Sequence, residues 1–338
     1  MAFVIPGMPA YGGGITSILR LGTYLAELGN EVSYISCSGE TVEQMSANAR
    51  INLSNFRGTL IRMSDLKNEK FDIGIATIWD TAYQICIKEE HFSYKTYFVQ
   101  DYEPFFYAKG DLFHLSRATY ALGFHMISLG QWNTFQIKDE FPDVKIDWIP
   151  FPVELGQYPL HRKKIRPSNR IKIAVYYKFE AKRASDLIIQ SLLLLEKKLR
   201  EKGLILECYF FGTDIEFGFS FIKTLGMLNH SRLRSLYQSC DFGYVASFTN
   251  VSLVPFEMTA SGLPVIDFKD GSAPHFFKGE EMIFVDFYPR NLVDKVLYYH
   301  QNPSELEYMV ARAQEQISSK TWRESSQRFF EIIQNAGD

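Results

Sequence analysis

Four cysteines in 338 residues, Cys37, Cys86, Cys208 and Cys240, are too scattered for a disulfide framework or a metal-ligand spacing. They read as buried free thiols of a reducing cytoplasm. Charge of one sign is also lacking: 36 Lys and Arg face 39 Asp and Glu, for a net charge of −3. A balance spread so evenly leaves no basic footprint for nucleic acid. No apolar run approaches the ~20 residues that cross a bilayer. No charged-then-apolar stretch reads as a signal peptide, and a strand expected from residue 3 leaves little room for targeting. Internal repeats, low-complexity tracts and Asp-x-Asp are absent from the sequence as well. What remains is a chain 46% hydrophobic and 22% charged, with ample core for the two domains its length predicts.

The most informative stretch is 241–267, DFGYVASFTNVSLVPFEMTASGLPVID. Residues 242–246 predict a buried parallel strand, and a polar loop follows at 247–252. A helix comes next, with Pro255 in its first turn, where a missing N–H costs nothing, and Glu257 close behind. Gly262 ends that helix and residues 264–266 start another strand. Strand, polar loop and helix N-terminus make the place where open α/β sheets hold phosphorylated ligands. A carboxylate at Glu257 can accept both hydroxyls of a ribose, or it can simply complement a helix dipole.

The frame SLVPFEMTASGLPVI resembles the donor-sugar signature of the group-1 (family 4-like) retaining glycosyltransferases. That resemblance implies an α/β protein of GT-B fold, two Rossmann-like domains facing across a cleft. The family pattern is E-x7-E; here Glu257 supplies the second carboxylate, while the first falls on Thr249. Glu257 is thereby expected on the nucleotide ribose. Thr249, Asn250, Val251, Ser252 and Leu253 form the loop expected beside the donor sugar.

Further landmarks occur in the family's order. An apolar strand at 3–5 runs into Pro6-Gly7 and Tyr11-Gly12-Gly13-Gly14, then a helix to Gly29 and a strand at 32–35. This glycine loop is not G-x-G-x-x-G, and no acid ends the second strand, so a dinucleotide site does not follow. The resemblance makes Gly13 and Gly14 the place where backbone approaches the donor. Strands at 73–78 and 96–99 follow, the second ending in Gln100-Asp101-Tyr102-Glu103. The stretch YFVQDYEPFFY resembles a rhamnosyltransferase-like subgroup of bacterial enzymes that build surface polysaccharides. Asp101 and Glu103 could orient an acceptor hydroxyl, or hold a metal as Asp-x-Glu; the acceptor role is preferred, because GT-B enzymes generally need no catalytic metal. His125, in apolar company, reads as a structural histidine.

Ile149-Pro150-Phe151-Pro152-Val153-Glu154 resembles the passage by which the family leaves its first domain. The expected organisation is an acceptor-side domain at 1–160, a basic linker at 161–170, a nucleotide-sugar domain at 171–320, and a closing helix at 321–338 that packs back on the first domain. The basic run reads as a solvated linker, with contact to anionic lipid headgroups as the sharper alternative. After the strand at 171–176, Lys178 and Arg183 match the family's diphosphate clamp, with Lys182 as a rival. Gly212 closes the strand at 204–211, and Met227 and Leu228 fall in the family's platform for the nucleotide base.

Together these imply a cytoplasmic enzyme, peripheral at the inner membrane face, that needs no cofactor. Its partners would be a dTDP- or UDP-sugar and a glycan or lipid-linked acceptor. Fixed cations at the leaving diphosphate lower the barrier as charge builds there. The implied mechanism is front-face displacement, in which the departing phosphate takes the acceptor proton, so no protein nucleophile is required. The neutral loop around Thr249 suits a 6-deoxyhexose such as rhamnose. Two other readings stay open: a non-catalytic GT-B partner, for which Thr249 argues, and sugar-nucleotide epimerisation, which would need an acid/base set not evident here.

Overall fold

The computed structural model describes residues 1–166, 168–180 and 183–337, in two compact units. The first comprises Met1–Pro152 together with Lys320–Asp338, and the second Val153–Ser319.

In the first unit strands and helices alternate: β1 (Ala2–Ile5), α1 (Gly13–Glu27), β2 (Ser33–Ser36), α2 (Val42–Asn52), β3 (Thr59–Arg62), β4 (Phe71–Ala76) and α3 (Trp79–Ile87). Then follow β5 (Phe92–Val99), α4 (Asp111–Ala118), β6 (His125–Leu129), α5 (Trp132–Glu140) and β7 (Ile146–Ile149). The strands form one parallel sheet in the order β3-β2-β1-β4-β5-β6-β7. Phe3, Val4, Ile5, Ile75, Phe98 and Ile127 are completely enclosed, because a parallel sheet is covered on both faces and its strands are apolar on both.

The second unit contains β8 (Arg170–Tyr176), α6 (Ser185–Arg200), β9 (Ile205–Phe211), β10 (Ile222–Thr224), α7 (His230–Ser239), β11 (Phe242–Tyr244) and α8 (Leu253–Ala260). It continues through β12 (Val265–Phe268), β13 (Ile283–Val285), α9 (Pro289–Gln301) and α10 (Pro303–Ile317). Its sheet is again parallel, ordered β10-β9-β8-β11-β12-β13, the doubly wound arrangement. Leu192, Leu195 and Leu199 of α6 face Ile173, Val175 and Phe210 in the enclosed core.

The final helix, α11 (Trp322–Gly337), belongs to the first unit. Phe329 sets its ring edge-on to Phe98 with centroids 5.8 Å apart, and the Arg20 guanidinium lies 5.9 Å from the Trp322 ring. Ser325 Oγ donates to the Pro150 carbonyl at 2.8 Å.

Three features differ from the sequence expectations. The basic stretch from His161 lies within the second unit and is fastened there. The His161 N–H donates to Ala260 O at 2.8 Å, Gln314 Nε2 donates to His161 O at 2.9 Å, and Lys163 Nζ donates to Cys240 O. Its charges hide this, since much of the fastening is by backbone, with the Lys163 ammonium and an Arg170–Glu207 ion pair added; Pro167 lies outside the described residues. Cys208 and Cys240 are buried, but Cys37 and Cys86 are half-exposed. Finally, β3, β7 and β10 had no counterpart in the reading, because edge strands of three or four residues carry too few apolar positions to show a period.

The helix that leads from β11 lies directly on its strand. A Cβ on Gly243 would stand 2.4 Å from Met258 Sδ and 3.1 Å from Leu263 Cδ2, and Met258 is itself fully enclosed. Gly243→Ala therefore overpacks this contact. It is expected to cost about 1–3 kcal/mol, read as a lower urea midpoint at unchanged slope.

Candidate functional site

In a doubly wound sheet the connections on either side of one strand pair leave toward opposite faces, and the C-terminal ends of that pair open a crevice. In the second unit that pair is β8 and β11. Lys178 and Arg183 follow β8; Thr249, Asn250, Val251, Ser252, Leu253 and Glu257 follow β11. The sheet order thus brings residues ~70 positions apart in sequence to one edge.

After β8 the chain turns tightly. The Glu180 N–H donates to Lys178 O at 2.8 Å, the Arg183 N–H to Glu180 O at 2.9 Å, and Ser185 Oγ to Lys178 O at 2.7 Å. Ala184 caps α6 in the left-handed region, at φ +47°. Such a conformation in a residue other than glycine is uncommon and is held here by the bonds on either side. Arg183 lies against the Tyr176 ring, 5.2 Å from its centroid, and its Nη1 donates to Ala246 O at 3.4 Å. Its Nε is buried with no hydrogen-bond partner among the described residues. Lys178 is half-buried, and Lys182 lies outside the described residues.

After β11 the loop is largely inside: Thr249 is 1% exposed, Asn250 2% and Val251 3%. Asn250 Oδ1 accepts the Val251 N–H at 2.9 Å, while Ser252 stands at the N-cap of α8. Among the described residues no side chain caps the first turn of α8, and Ser252 Oγ is buried without a partner. An uncapped helix start leaves backbone N–H groups and the positive dipole end for an anion. Glu257 is half-buried in the second turn of α8 rather than the first. The dipole fades beyond one turn, so helix complementation does little to explain it. Its charge is felt by Tyr237, a wholly buried phenol pushed up first by burial and then by Glu257.

Gly212, at φ +86°, ends β9 and donates its N–H to Gly226 O at 3.0 Å. That bond brings Leu225 to Leu228 back to the end of β9. Met227 is 51% exposed there and Leu228 half-buried, an apolar ledge on the same edge of the sheet.

Residues 192–332 match the family model described as glycosyl transferase-like. The fold is similar over nearly whole chains to three solved structures. Sucrose-phosphate synthase from Thermosynechococcus elongatus gives a TM-score of 0.74 at 11% identity, covering 99% of this chain and 98% of that one. Anabaena Alr3699/HepE, in complex with UDP and glucose, gives 0.72 at 12% identity, with 99% of each chain covered. The pneumococcal O-GlcNAc transferase GtfA, in complex with UDP and GlcNAc, gives 0.73 at 11%, covering 99% and 98%. The chain has the GT-B fold. A curated relative, the O-antigen biosynthesis protein RfbC of Myxococcus xanthus, is 26% identical over 274 residues. That match covers 79% of this chain, which spans about a fifth (21%) of the relative's length.

In the first unit of this GT-B chain the corresponding strand pair is β1 and β4. Gly13 and Gly14 open α1, both exposed; a Cβ on Gly13 would meet nothing within 4 Å, and one on Gly14 only Gln100 at 3.6 Å. Gly12 donates its N–H to the buried Asn52 Oδ1 at 2.9 Å, and Asn52 Nδ2 donates to Pro9 O at 2.8 Å, so α2 pins the glycine loop. Asp101 is half-buried beyond β5. Glu103 corrects an expectation: it is 2% exposed, and its Oε2 accepts the Trp79 N–H at 2.6 Å and the Tyr97 hydroxyl at 2.7 Å. A carboxyl so enclosed supports the chain and does not face an acceptor or a metal. Groups of three or more His, Cys, Asp or Glu suited to a metal are absent among the described residues.

The sequence reading gave no role to Asp80 in the first unit, or to Tyr237, Ser247 and Asp267 in the second. The one available signal was Asp267, an acid inside the apolar strand Val265–Phe268 that is 0% exposed in the structure.

Burial pushes Glu103 up to about 8, with the charges of Asp101 and Asp80 adding to the effect. The native state therefore binds a proton that the unfolded chain releases above its ordinary value of about 4.5, so stability falls as pH rises from about 4.5 toward 8. Glu103→Gln, which keeps an acceptor and cannot ionise, is expected to abolish that decline. Thermal midpoints measured from about pH 5 to 8 should diverge, the variant gaining on the order of 1–3 kcal/mol relative to wild type at the upper end. Parallel curves would return Glu103 to an ionised role.

Proposed function

We propose that the chain is a retaining glycosyltransferase that takes a sugar from a nucleotide-diphospho-sugar. The observation that carries this reading is the edge of the second unit. Lys178 and Arg183 follow β8, the uncapped start of α8 follows β11, and Glu257 projects from α8's second turn. Cations and free N–H groups suit a diphosphate, and a half-buried carboxylate suits vicinal hydroxyls. The leaving diphosphate gains charge as the glycosidic bond lengthens, and Lys178 and Arg183 lower the barrier by stabilising that charge. The departing phosphate oxygen then accepts the acceptor's proton on the same face, which retains the anomeric configuration. Gly13 and Gly14 offer exposed backbone for close approach of substrate, and Asp101 orients the acceptor hydroxyl. The ledge of Met227 and Leu228 underlies the base, and Gly212 shapes it.

UDP in two of the similar structures supports a nucleoside diphosphate as ligand. The printed role of the Myxococcus relative supports a growing surface polysaccharide or lipid-linked glycan as acceptor, met at a membrane face. Among the described residues no helix is long and apolar enough to cross a membrane. A second reading, a GT-B protein that binds sugar-nucleotide or glycan without turnover, is favoured by Thr249 alone.

Glu257→Gln removes a charged acceptor worth about 1.5–3 kcal/mol and is expected to weaken UDP or dTDP binding roughly 10- to 150-fold in a folded protein. Calorimetry on the variant measures this; unchanged affinity would remove Glu257 from the ribose.

Donor choice tests the finer claim. Thr249 is neutral and 1% exposed, so position 249 supplies no charge-assisted bond where a carboxylate would. A site that does hydrogen-bond a hydroxyl rejects the analogue lacking it by about 10⁴-fold, and a loop without a carboxylate is the better match for a sugar that lacks a hydroxyl. Turnover of dTDP-rhamnose in preference to UDP-glucose is expected in a donor panel. Better use of UDP-glucose or UDP-N-acetylglucosamine would refute the deoxy-sugar preference. Tight nucleotide binding with no transfer or hydrolysis across the panel would establish the binder.

A further inference from the structure

The loop after β11 begins at Ser247, and three groups grip this residue and Ala246 before it. Arg183 Nη1 rests on the carbonyl of Ala246. The Ser247 N–H donates to Asp267 Oδ1 at 3.1 Å, and the Phe268 N–H donates to the same oxygen at 2.7 Å. The Ser247 carbonyl accepts the N–H of Ser272 at 2.7 Å and its Oγ at 2.9 Å. The chain after β12 comes so near that a Cβ on Gly271 would lie 2.5 Å from Ser247 O.

Asp267 is the unusual member. It is 0% exposed, and the Ser247 hydroxyl lies beside its carboxyl. That hydroxyl serves either form, donating to the carboxylate or accepting from the acid, while Oδ1 keeps both N–H groups. With no exposure to water the charged form is the costlier of the two, which favours the neutral acid. The charged and titratable groups that face Asp267 are Arg183, from the turn after β8, and the buried Tyr244 phenol of β11. Burial is the main force on Asp267 and holds it at about 7; the Ser247 and Phe268 bonds and Arg183 pull the other way.

We propose that Asp267 is a positioning residue for the donor diphosphate. It holds Ser247, and with it the 247–252 loop and the carbonyl on which Arg183 rests, and it does so as the neutral acid when the diphosphate is bound. The proposal rests on the reading of this edge as a diphosphate site. An anion held by Arg183 opposes a second negative charge directly beneath it, so binding takes up a proton. Raising the pH then ionises Asp267 in the free protein, and affinity falls.

Calorimetric titration with UDP-glucose and dTDP-glucose, whose diphosphates do not themselves titrate near neutrality, tests this from about pH 6 to 8.5. Asp267→Asn keeps the Oδ1 acceptor and supplies a donor to Ser247, as the acid does. Wild type and D267N are expected to bind alike near pH 6, and wild type alone to weaken above pH 7, about five- to tenfold by pH 8.5, in line with a one-unit shift of one group. Asp267→Ala, which drops the Ser247 N–H, is expected to bind more weakly than D267N at every pH. Titration of wild type in two buffers of different ionisation heat gives an independent measure that needs no variant, and uptake of a proton near pH 7.5 is expected. Equal pH slopes in wild type and D267N, or no proton uptake by wild type, would overturn the role of Asp267 while leaving the diphosphate site intact. Absence of binding by wild type at any pH would instead remove the site on which it rests.

Discussion

Right-handed crossover is the constraint on which the arrangement depends. Strand, helix and parallel strand connect with one hand, so a sheet that grows first to one side and then to the other must divide between two neighbouring strands. In this chain the division falls at β1 and β4 in the first unit and at β8 and β11 in the second. Apolar pairing such as Val4 with Ala76 and Val175 with Tyr244 fixes both divisions. Everything polar that gathers at the second unit's edge is there because those strands end side by side. The loops themselves contribute little regular pairing of their own.

An edge built this way needs its loops fastened from beneath, and both units use a buried carboxyl. Glu103 takes the Trp79 N–H at the start of α3, and Asp267 takes the Ser247 N–H at the start of the loop before α8. Each is pushed up by burial, to about 8 and about 7. A carboxyl in this range serves two purposes at once: it accepts backbone N–H groups strongly, and it need not carry a full charge in an apolar interior. The cost is a stability that depends on pH where an amide would give none. Asp267 also lies beneath the edge proposed to hold an anion, whereas the charges that act on Glu103 are those of Asp101 and Asp80.

Much of this was legible in the sequence, and the limits have physical causes. Strands buried on both faces contain apolar runs, such as residues 2–5 in β1, 97–99 in β5, 173–176 in β8 and 208–211 in β9, so these strands announce themselves, as does the helix that ends at Gly262. Lys178, Arg183 and Glu257 were picked out by their match to the family's clamp and to the second carboxylate of E-x7-E, a resemblance rather than a spacing argument. Glu103 was misjudged because it lies, like Asp101, just beyond a strand on the binding edge of the sheet. Its neighbours Tyr97, Tyr102 and Tyr120 enclose it, and enclosure is a property of packing that no spacing records. Asp267 was hidden for the opposite reason: within V-I-D-F it looked like the end of a strand, and only the approach of Gly271 to Ser247 shows what it holds. The basic run from His161 misled because its charges suggest solvent, while its backbone does much of the binding.

The substitution at Thr249 bears on selectivity more than on bond cleavage. In the proposed reaction the barrier falls through charge stabilisation on the diphosphate, and that depends on Lys178, Arg183 and the start of α8. None of these requires a carboxylate at position 249. Thr249 is 1% exposed and its neighbours Asn250 and Val251 are almost equally enclosed, so the loop turns these side chains inward. What it can present to a sugar is then mainly backbone, together with Ser252 at the head of α8. Backbone groups hydrogen-bond hydroxyls without the strength of a charged partner, and they discriminate by shape and approach. A donor lacking a hydroxyl loses little at such a loop, whereas a donor that depends on a charge-assisted contact loses much. The neutral loop therefore fits a transferase tuned to a less hydroxylated sugar at least as well as it fits a protein that has given up catalysis.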